Sequence, residues 1–414
     1  MTQRVPHLDG IRGLAVLMVI GFHYTMMPGL HQWEASLPVR LAQMGWMGVD
    51  LFFVLSGFLL GGILIDRKGE ANYYRSFFVR RAGRILPLYW LWLGAYVVVV
   101  SIWPQGGFSG GATPFGYHLV FLQNIYMAAH DGPQWGSHSA WLSSSWSLAV
   151  EEQFYLVVPF LIGCTRLATS KRLLLGYIVA APFLRWMLIL LWHGQAVGPL
   201  YYLLPTHGDG LAVGIVIAMA VRNSRVQEFY QRNRPAFMMG AGGLSMSIVG
   251  EYLKLPPTGE IRGIAASFFY LPIALIFGWL IFETTTMPIA KPARVLRFSA
   301  LQFFGRISYC LYLIHGVVML SIQRPIAHMF QIRTLSSLVM VKLLCNGIAL
   351  GTSVLICVLS GRFYELPARA WINRRFSSRR PLSSAAGPSA TLPPQRPSSV
   401  ACTSDSVPAF QRSA

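Results

Sequence analysis

The sequence predicts an all-α integral membrane protein of about ten transmembrane helices, with the N-terminus and the C-terminus both cytoplasmic. Three observations carry this reading. Of 414 residues, 54% are hydrophobic and only 12% charged, about half the charged share of an ordinary soluble domain. Apolar stretches long enough to cross a bilayer recur at 8–27, 47–65, 85–103, 149–165, 173–192, 207–222, 236–252, 263–282, 302–321 and 338–361. Lysine and arginine alternate between the connections. One set holds Arg4 and Arg12; Arg67, Lys68, Arg75, Arg80, Arg81 and Arg84; Arg166, Lys171 and Arg172; Arg222, Arg225, Arg232 and Arg234; and Lys291, Arg294 and Arg297. The other set holds Arg40, then none, then none, then Lys254 and Arg262, then Arg324 and Arg333. Basic connections stay in the cytoplasm, which fixes the orientation. The net charge of +19 therefore marks a membrane face, and a nucleic-acid footprint is set aside.

The first stretch, LDGIRGLAVLMVIGFHYTMM, carries Arg12 and His23. Their spacing is about three helical turns, so both point to one side, roughly 16 Å apart along the axis. Ionisable groups at membrane depth are costly and mark an internal path. No small-residue cleavage site follows, so the stretch reads as a retained helix. The second span enters from outside with Asp50 near its start, at the depth of His23, and Ser56 in a small-residue patch with Gly57 and Gly61 suited to helix packing. The basic connection 66–84 runs into the third span, and Arg81-x-x-Arg84 sets two guanidiniums on one side of a helix start, a pattern suited to phosphate.

The long outer connection 104–146 has no Lys or Arg. Its GFSGG at 107–111 matches G-x-S-x-G formally but lacks the strand–turn–helix setting that motif needs. His118, His130 and His138 lack ligand spacing and are expected to be solvated. The fourth span opens with Glu151 and Glu152, Tyr155 one turn on; one carboxylate is expected to face the bundle and the other headgroups or water. Arg185 sits in the middle of the fifth span, either paired or lining a path. His207 and Asp209 open the sixth near the outer surface. In the ninth, Arg306 lies inside while Tyr309, Tyr312 and His315 climb outward. The five cysteines show no metal-ligand spacing, so no disulfide framework or zinc site is implied. Residues 1–370 read as one membrane domain, and 371–414, basic and rich in Ser and Pro, as a disordered cytoplasmic tail. No internal repeat is evident.

By depth, the polar residues sort into two layers. His23, Asp50, Glu151, Glu152, His207, Asp209 and His315 lie toward the outside; Arg12, Arg81, Arg84 and Arg306 lie toward the cytoplasm. The first layer suits deprotonation of an acceptor hydroxyl, the second an anionic, phosphate-bearing donor with a long arm such as acyl-coenzyme A. The physics alone leaves two classes open, a membrane enzyme and a proton-coupled transporter or exporter that uses the same His and carboxylates.

HLDGIRGLA at 7–15 with the R-x10-H spacing to His23, GVDLFFVLSGFLL at 48–60, RRAGRILPLYW at 80–90, WSLAVEEQFY at 146–155 and GRISYCLYLIH at 305–315 together resemble the membrane acyltransferase family 3 over roughly residues 5–370. The resemblance implies O-acylation, commonly O-acetylation, of an extracytoplasmic glycan, envelope polymer or glycosylated small molecule, from cytoplasmic acyl-CoA, in a bacterial cytoplasmic membrane. It implies essential roles for Arg12, His23, Arg81 and Arg84. On this reading His23 is the base, oriented by Asp50 or Glu151, with Arg12 and Glu152 also catalytic; an acyl-His23 intermediate is a variant. Arg81, Arg84 and Arg12 hold the CoA phosphates; Tyr155, Asp209 and His315 contact the acceptor; no metal takes part. Many members have an Arg where this chain has His207. The hydrolase-like periplasmic domain fused to some members has no counterpart in the sequence, so a second transfer would need a partner or does not occur.

Overall fold

The computed structural model describes residues 5–25, 36–102, 113–130, 140–191, 197–254, 264–329 and 335–376; the 107–111 stretch, His138, Cys402 and the tail beyond 376 lie outside the described residues. Among the described residues the chain is all helix, with no strand. A helix stands at each of the ten apolar stretches: α1 (Pro6–Thr25), α2 (Gly48–Asp66), α3 (Tyr73–Ile102), α4 (Trp146–Cys164), α5 (Leu167–Leu191), α6 (Asp209–Val221), α7 (Ser224–Lys254), α8 (Ile264–Thr286), α9 (Ser299–Met329) and α10 (Leu335–Ser360). Helix is the expected form because lipid offers the backbone no hydrogen-bond partner.

Among the described residues, seven helical stretches are long and apolar enough to cross a membrane; α1, α6 and α7 fall outside that set. α1 carries His7, Asp9, Arg12 and His23, α6 is short, and the first half of α7 is polar. After a π-helical turn at Gly361–Glu365, α11 (Leu366–Phe376) continues from α10. α3 begins at Tyr73, a dozen residues ahead of the expected start, so Arg81 and Arg84 lie inside the helix, the former roughly 12 Å along it.

Glycines bring two helix pairs into backbone contact. A Cβ on Gly13 would lie 1.9 Å from the Leu301 carbonyl oxygen, and one on Gly305 1.8 Å from that of Asp9, so α1 and α9 cross where no side chain intervenes. Gly57 of α2 meets Leu211 of α6 in the same way, and Gly214 meets Val54. Such crossings are how membrane helices gain packing without a hydrophobic drive. Gly57 and Gly61 carry the predicted packing role; Ser56 instead faces a cavity.

In the outer connection, His130 is exposed, but His118 is buried with its Nδ1 3.3 Å from the Ser145 hydroxyl, so the expected solvated state does not hold for His118. The short helices Phe115–Leu119 and Gln123–Ala129 fold over the bundle, and Tyr89 of α3 donates to the His118 carbonyl at 2.8 Å. Burial pushes the His118 imidazole down to about 4.

Candidate active site

Five helices meet around a cavity of about 100 Å³. Arg12 of α1, Ser56 of α2, Arg81 and Arg84 of α3, Glu151 of α4 and Tyr312 of α9 contribute its polar wall. Arg12 is tied to its own helix: its Nη1 donates to Asp9 Oδ1 at 2.7 Å, one turn earlier. The Arg81 guanidinium lies over the Tyr155 ring, 4.3 Å from its centroid, a cation–π contact. Tyr155 donates to Glu151 Oε2 at 2.8 Å, and its oxygen lies 2.5 Å from Ser56 Oγ. The tyrosine proton is committed to the carboxylate, so Ser56 is the donor in the second bond. The result is a Ser56–Tyr155–Glu151 chain along one wall. Among the described residues, Arg81 and Arg84 form no ion pair with a carboxylate.

This arrangement differs from the two layers read by depth. Glu151, expected with the histidines, stands with the arginines, because the early start of α3 carries Arg81 and Arg84 to its level. Tyr155 is buried in the wall behind the cavity, bonded to Glu151, and is not on its surface. Glu152 is half-buried, with Oε1 enclosed and without a hydrogen bond, so neither glutamate is simply turned outward. Arg306 is exposed and stands apart from the cluster.

Beyond the Tyr312 end, and about three turns along both helices from their glycine crossing, His23 of α1 and His315 of α9 meet, with His315 Nε2 3.1 Å from His23 Nδ1. The carbonyl groups around them fix the protons. His315 Nδ1 lies 2.8 Å from the Tyr312 carbonyl oxygen and 3.2 Å from that of Leu311, so that nitrogen is the donor and Nε2 is left as an acceptor. His23 Nδ1 faces this acceptor and the Val19 carbonyl oxygen at 2.9 Å, so it carries the hydrogen. The lone pair of His23 then resides on Nε2, the form a general base needs. His23 does not line the cavity; Tyr312, which does, has its ring 6.0 Å from that of His315.

The expected partners of His23 are engaged elsewhere. Asp50 Oδ1 is 2.9 Å from His207 Nε2, and His207 Nδ1 is 2.7 Å from the Tyr201 carbonyl oxygen. Phe53, Tyr201 and Tyr270 pack around that imidazole. Glu151 accepts from Tyr155, as above. Asp209 is likewise closed off: Arg185 sends Nη1 and Nη2 to its Oδ2, each at 3.0 Å, and Nε to the Ser267 carbonyl oxygen at 2.7 Å. Both members of that pair are essentially fully buried. The open alternative for Arg185 is thereby resolved in favour of pairing, with Asp209 as its partner. His315, expected to touch the acceptor, is bonded to His23. The four cysteines among the described residues are free thiols, and no three His, Cys, Asp or Glu side chains there converge as a metal site.

The sequence profile described as an acyltransferase domain matches residues 5–361. A peptidoglycan O-acetyltransferase of Listeria monocytogenes is 27% identical over 383 residues, covering 88% of this chain and 56% of the relative. A Bacillus subtilis protein named as a candidate peptidoglycan O-acetyltransferase is 31% identical over 223 residues, 52% of this chain and 33% of the relative. A Staphylococcus aureus protein named as a candidate O-acetyltransferase is 25% identical over 371 residues, 88% of this chain and 57% of the relative. The chain thus spans about half the length of the curated relatives it matches. No solved structure matches. The profile match takes in every helix that builds the cavity, from α1 to α9, and on it the chain belongs to the membrane acyltransferase family 3.

Proposed function

We propose that the chain moves an acyl group, acetyl in the first instance, from cytoplasmic acyl-CoA to a hydroxyl of an extracytoplasmic carbohydrate, with a cell-envelope glycan as the favoured acceptor class. The observation that carries this reading is the cavity: two guanidiniums without a carboxylate partner, Arg81 and Arg84, share it with Arg12. Clustered guanidiniums in a half-buried wall repel one another and are stabilised by a polyanion, and bidentate contact with phosphate is their strongest use. The names of the relatives favour acetyl and a glycan. The basic connections favour entry of the donor from the cytoplasm.

In the proposed reaction, Arg81, Arg84 and Arg12 hold the CoA phosphates and the thioester arm extends past Tyr312. The acceptor hydroxyl gives its proton to His23 Nε2 while its oxygen bonds to the thioester carbon. The carbon–sulfur bond breaks, and the departing CoA thiolate takes the proton back from the imidazolium. His315 holds the imidazole in the required tautomer. Glu151, kept in place by Tyr155 and Ser56, balances the arginines and shapes the thioester end. Both termini are taken to be cytoplasmic in this scheme, within a bacterial cytoplasmic membrane.

The test is acyl transfer by purified protein in proteoliposomes, given radiolabelled acetyl-CoA on the cytoplasmic side and glycan strands on the other. Label on the glycan that depends on His23 is the expected result. Absence of CoA release with acetyl, propionyl and succinyl thioesters alike would overturn the proposal.

A further inference from the structure

The cavity arginines have a neighbour that the motifs do not single out. α11 and the π-helical turn before it run antiparallel along the middle of α3, and two contacts set the register. The Ile372 side chain lies 3.0 Å from where a Cβ on Gly83 would be, and the Tyr364 hydroxyl donates to the Pro87 carbonyl oxygen at 3.0 Å. Residues midway between Tyr364 and Ile372 therefore stand opposite those midway between Gly83 and Pro87. Arg369 falls opposite Arg84, and Arg84 lies within the electrostatic field of Arg369 as well as those of Arg12 and Arg81. Unlike the cavity-lining arginines, Arg369 is exposed.

The charges around Arg369 do not neutralise it by contact. Glu365, one turn earlier, accepts from the Ser360 hydroxyl at 3.2 Å, and among the described residues Arg369 forms no ion pair. The guanidiniums form two tiers: Arg12, Arg81 and Arg84 within the cavity wall, and Arg369 at the surface beside it. Coenzyme A carries its phosphates in two groups as well, a diphosphate in the chain and a single phosphate on the ribose 3′ carbon. The diphosphate is nearer the thioester and the 3′-phosphate is farther from it.

We propose that Arg369 is the subsite for the ribose 3′-phosphate of the donor, with the inner arginines left to the diphosphate; this rests on the acyl-CoA reading above. α11 then belongs to the donor site. A helix contributed from near the end of the chain closes a cluster begun by the first helix.

The experiment compares acetyl-CoA with acetyl-dephospho-CoA, which lacks only that phosphate, in proteoliposomes of zwitterionic lipid. One charge-assisted contact gives wild type a KM preference for acetyl-CoA of about tenfold or more. Arg369→Gln loses this preference, whereas Arg84→Gln raises KM for both thioesters and keeps it. An equal rise in both KM values for Arg369→Gln overturns the assignment. So does an effect of Arg369→Gln seen only when phosphatidylglycerol is present, which marks a lipid headgroup contact. If wild type uses neither thioester, the acyl-CoA reading itself fails and takes the subsite with it.

Discussion

Replacing His315 by alanine tests the tautomer argument. His315 Nε2 faces His23 Nδ1 at 3.1 Å, and the Val19 carbonyl oxygen faces the same nitrogen at 2.9 Å. The variant removes one and leaves the other, so the imidazole is loosened but keeps a partner for its hydrogen. The loss is that of one neutral hydrogen bond, ~0.5–1.5 kcal/mol, which corresponds to a fall in kcat of about two- to twelvefold. KM for acetyl-CoA should hold, because the arginines are untouched. His315→Gln supplies an amide oxygen as a replacement acceptor and should restore much of the rate. Steady-state transfer to glycan, with protein per liposome held equal, gives both parameters. Unchanged kcat in His315→Ala, or the same loss in the Gln and Ala variants, would refute the reasoning.

Three further outcomes follow from the packing. Arg185→Met leaves Asp209 as a buried charge without its counter-charge, at a cost of about 3–5 kcal/mol, and Arg185→Met with Asp209→Leu should recover much of it; thermal unfolding in detergent measures both, and a single variant as stable as wild type would contradict the pairing. Gly305→Ala puts a methyl group 1.8 Å from the Asp9 carbonyl oxygen, so α1 and α9 must separate at an overpacking cost of ~1–3 kcal/mol; the same melts should show the loss, along with a higher donor KM as Arg12 shifts with Asp9. His118, held at about 4 by burial, stays neutral in the fold while the unfolded chain takes up a proton below its ordinary ~6.5. Its depressed pKa therefore contributes stability above pH 6.5 that is lost as pH falls toward 4, up to ~3 kcal/mol. His118→Asn should show a flatter melting profile across that window, and an identical slope would contradict the account.

The helices were legible in the sequence because lipid leaves the backbone one solution, and the apolar stretches report it directly. The glycine crossing of α2 was legible too, since Gly57 and Gly61 recur one turn apart. Lateral neighbours were not. Periodicity gives depth and face along one helix, but not which helix stands opposite. Asp50 thus pairs with His207, 157 residues away, and His23 with His315, 292 residues away. The grouping around the arginines depends on a helix that begins early: Tyr73, Tyr74, Phe77 and Phe78 extend α3 through a connection that reads as basic and polar. That extension moves Arg81 and Arg84 from the expected helix start to the level of Glu151. Ser56 looked like packing because it sits beside Gly57, yet helical rotation turns it to Tyr155 and the cavity.

The central claim is a division of labour, arginines for the donor and His23 for the proton. One measurement addresses it most directly: kcat and donor KM for wild type, His23→Ala and Arg84→Ala in the same proteoliposome preparation. The account predicts loss of transfer in His23→Ala with acetyl-CoA binding retained, and a raised KM with residual kcat in Arg84→Ala. Full transfer by His23→Ala, or an unchanged KM in Arg84→Ala, would contradict it.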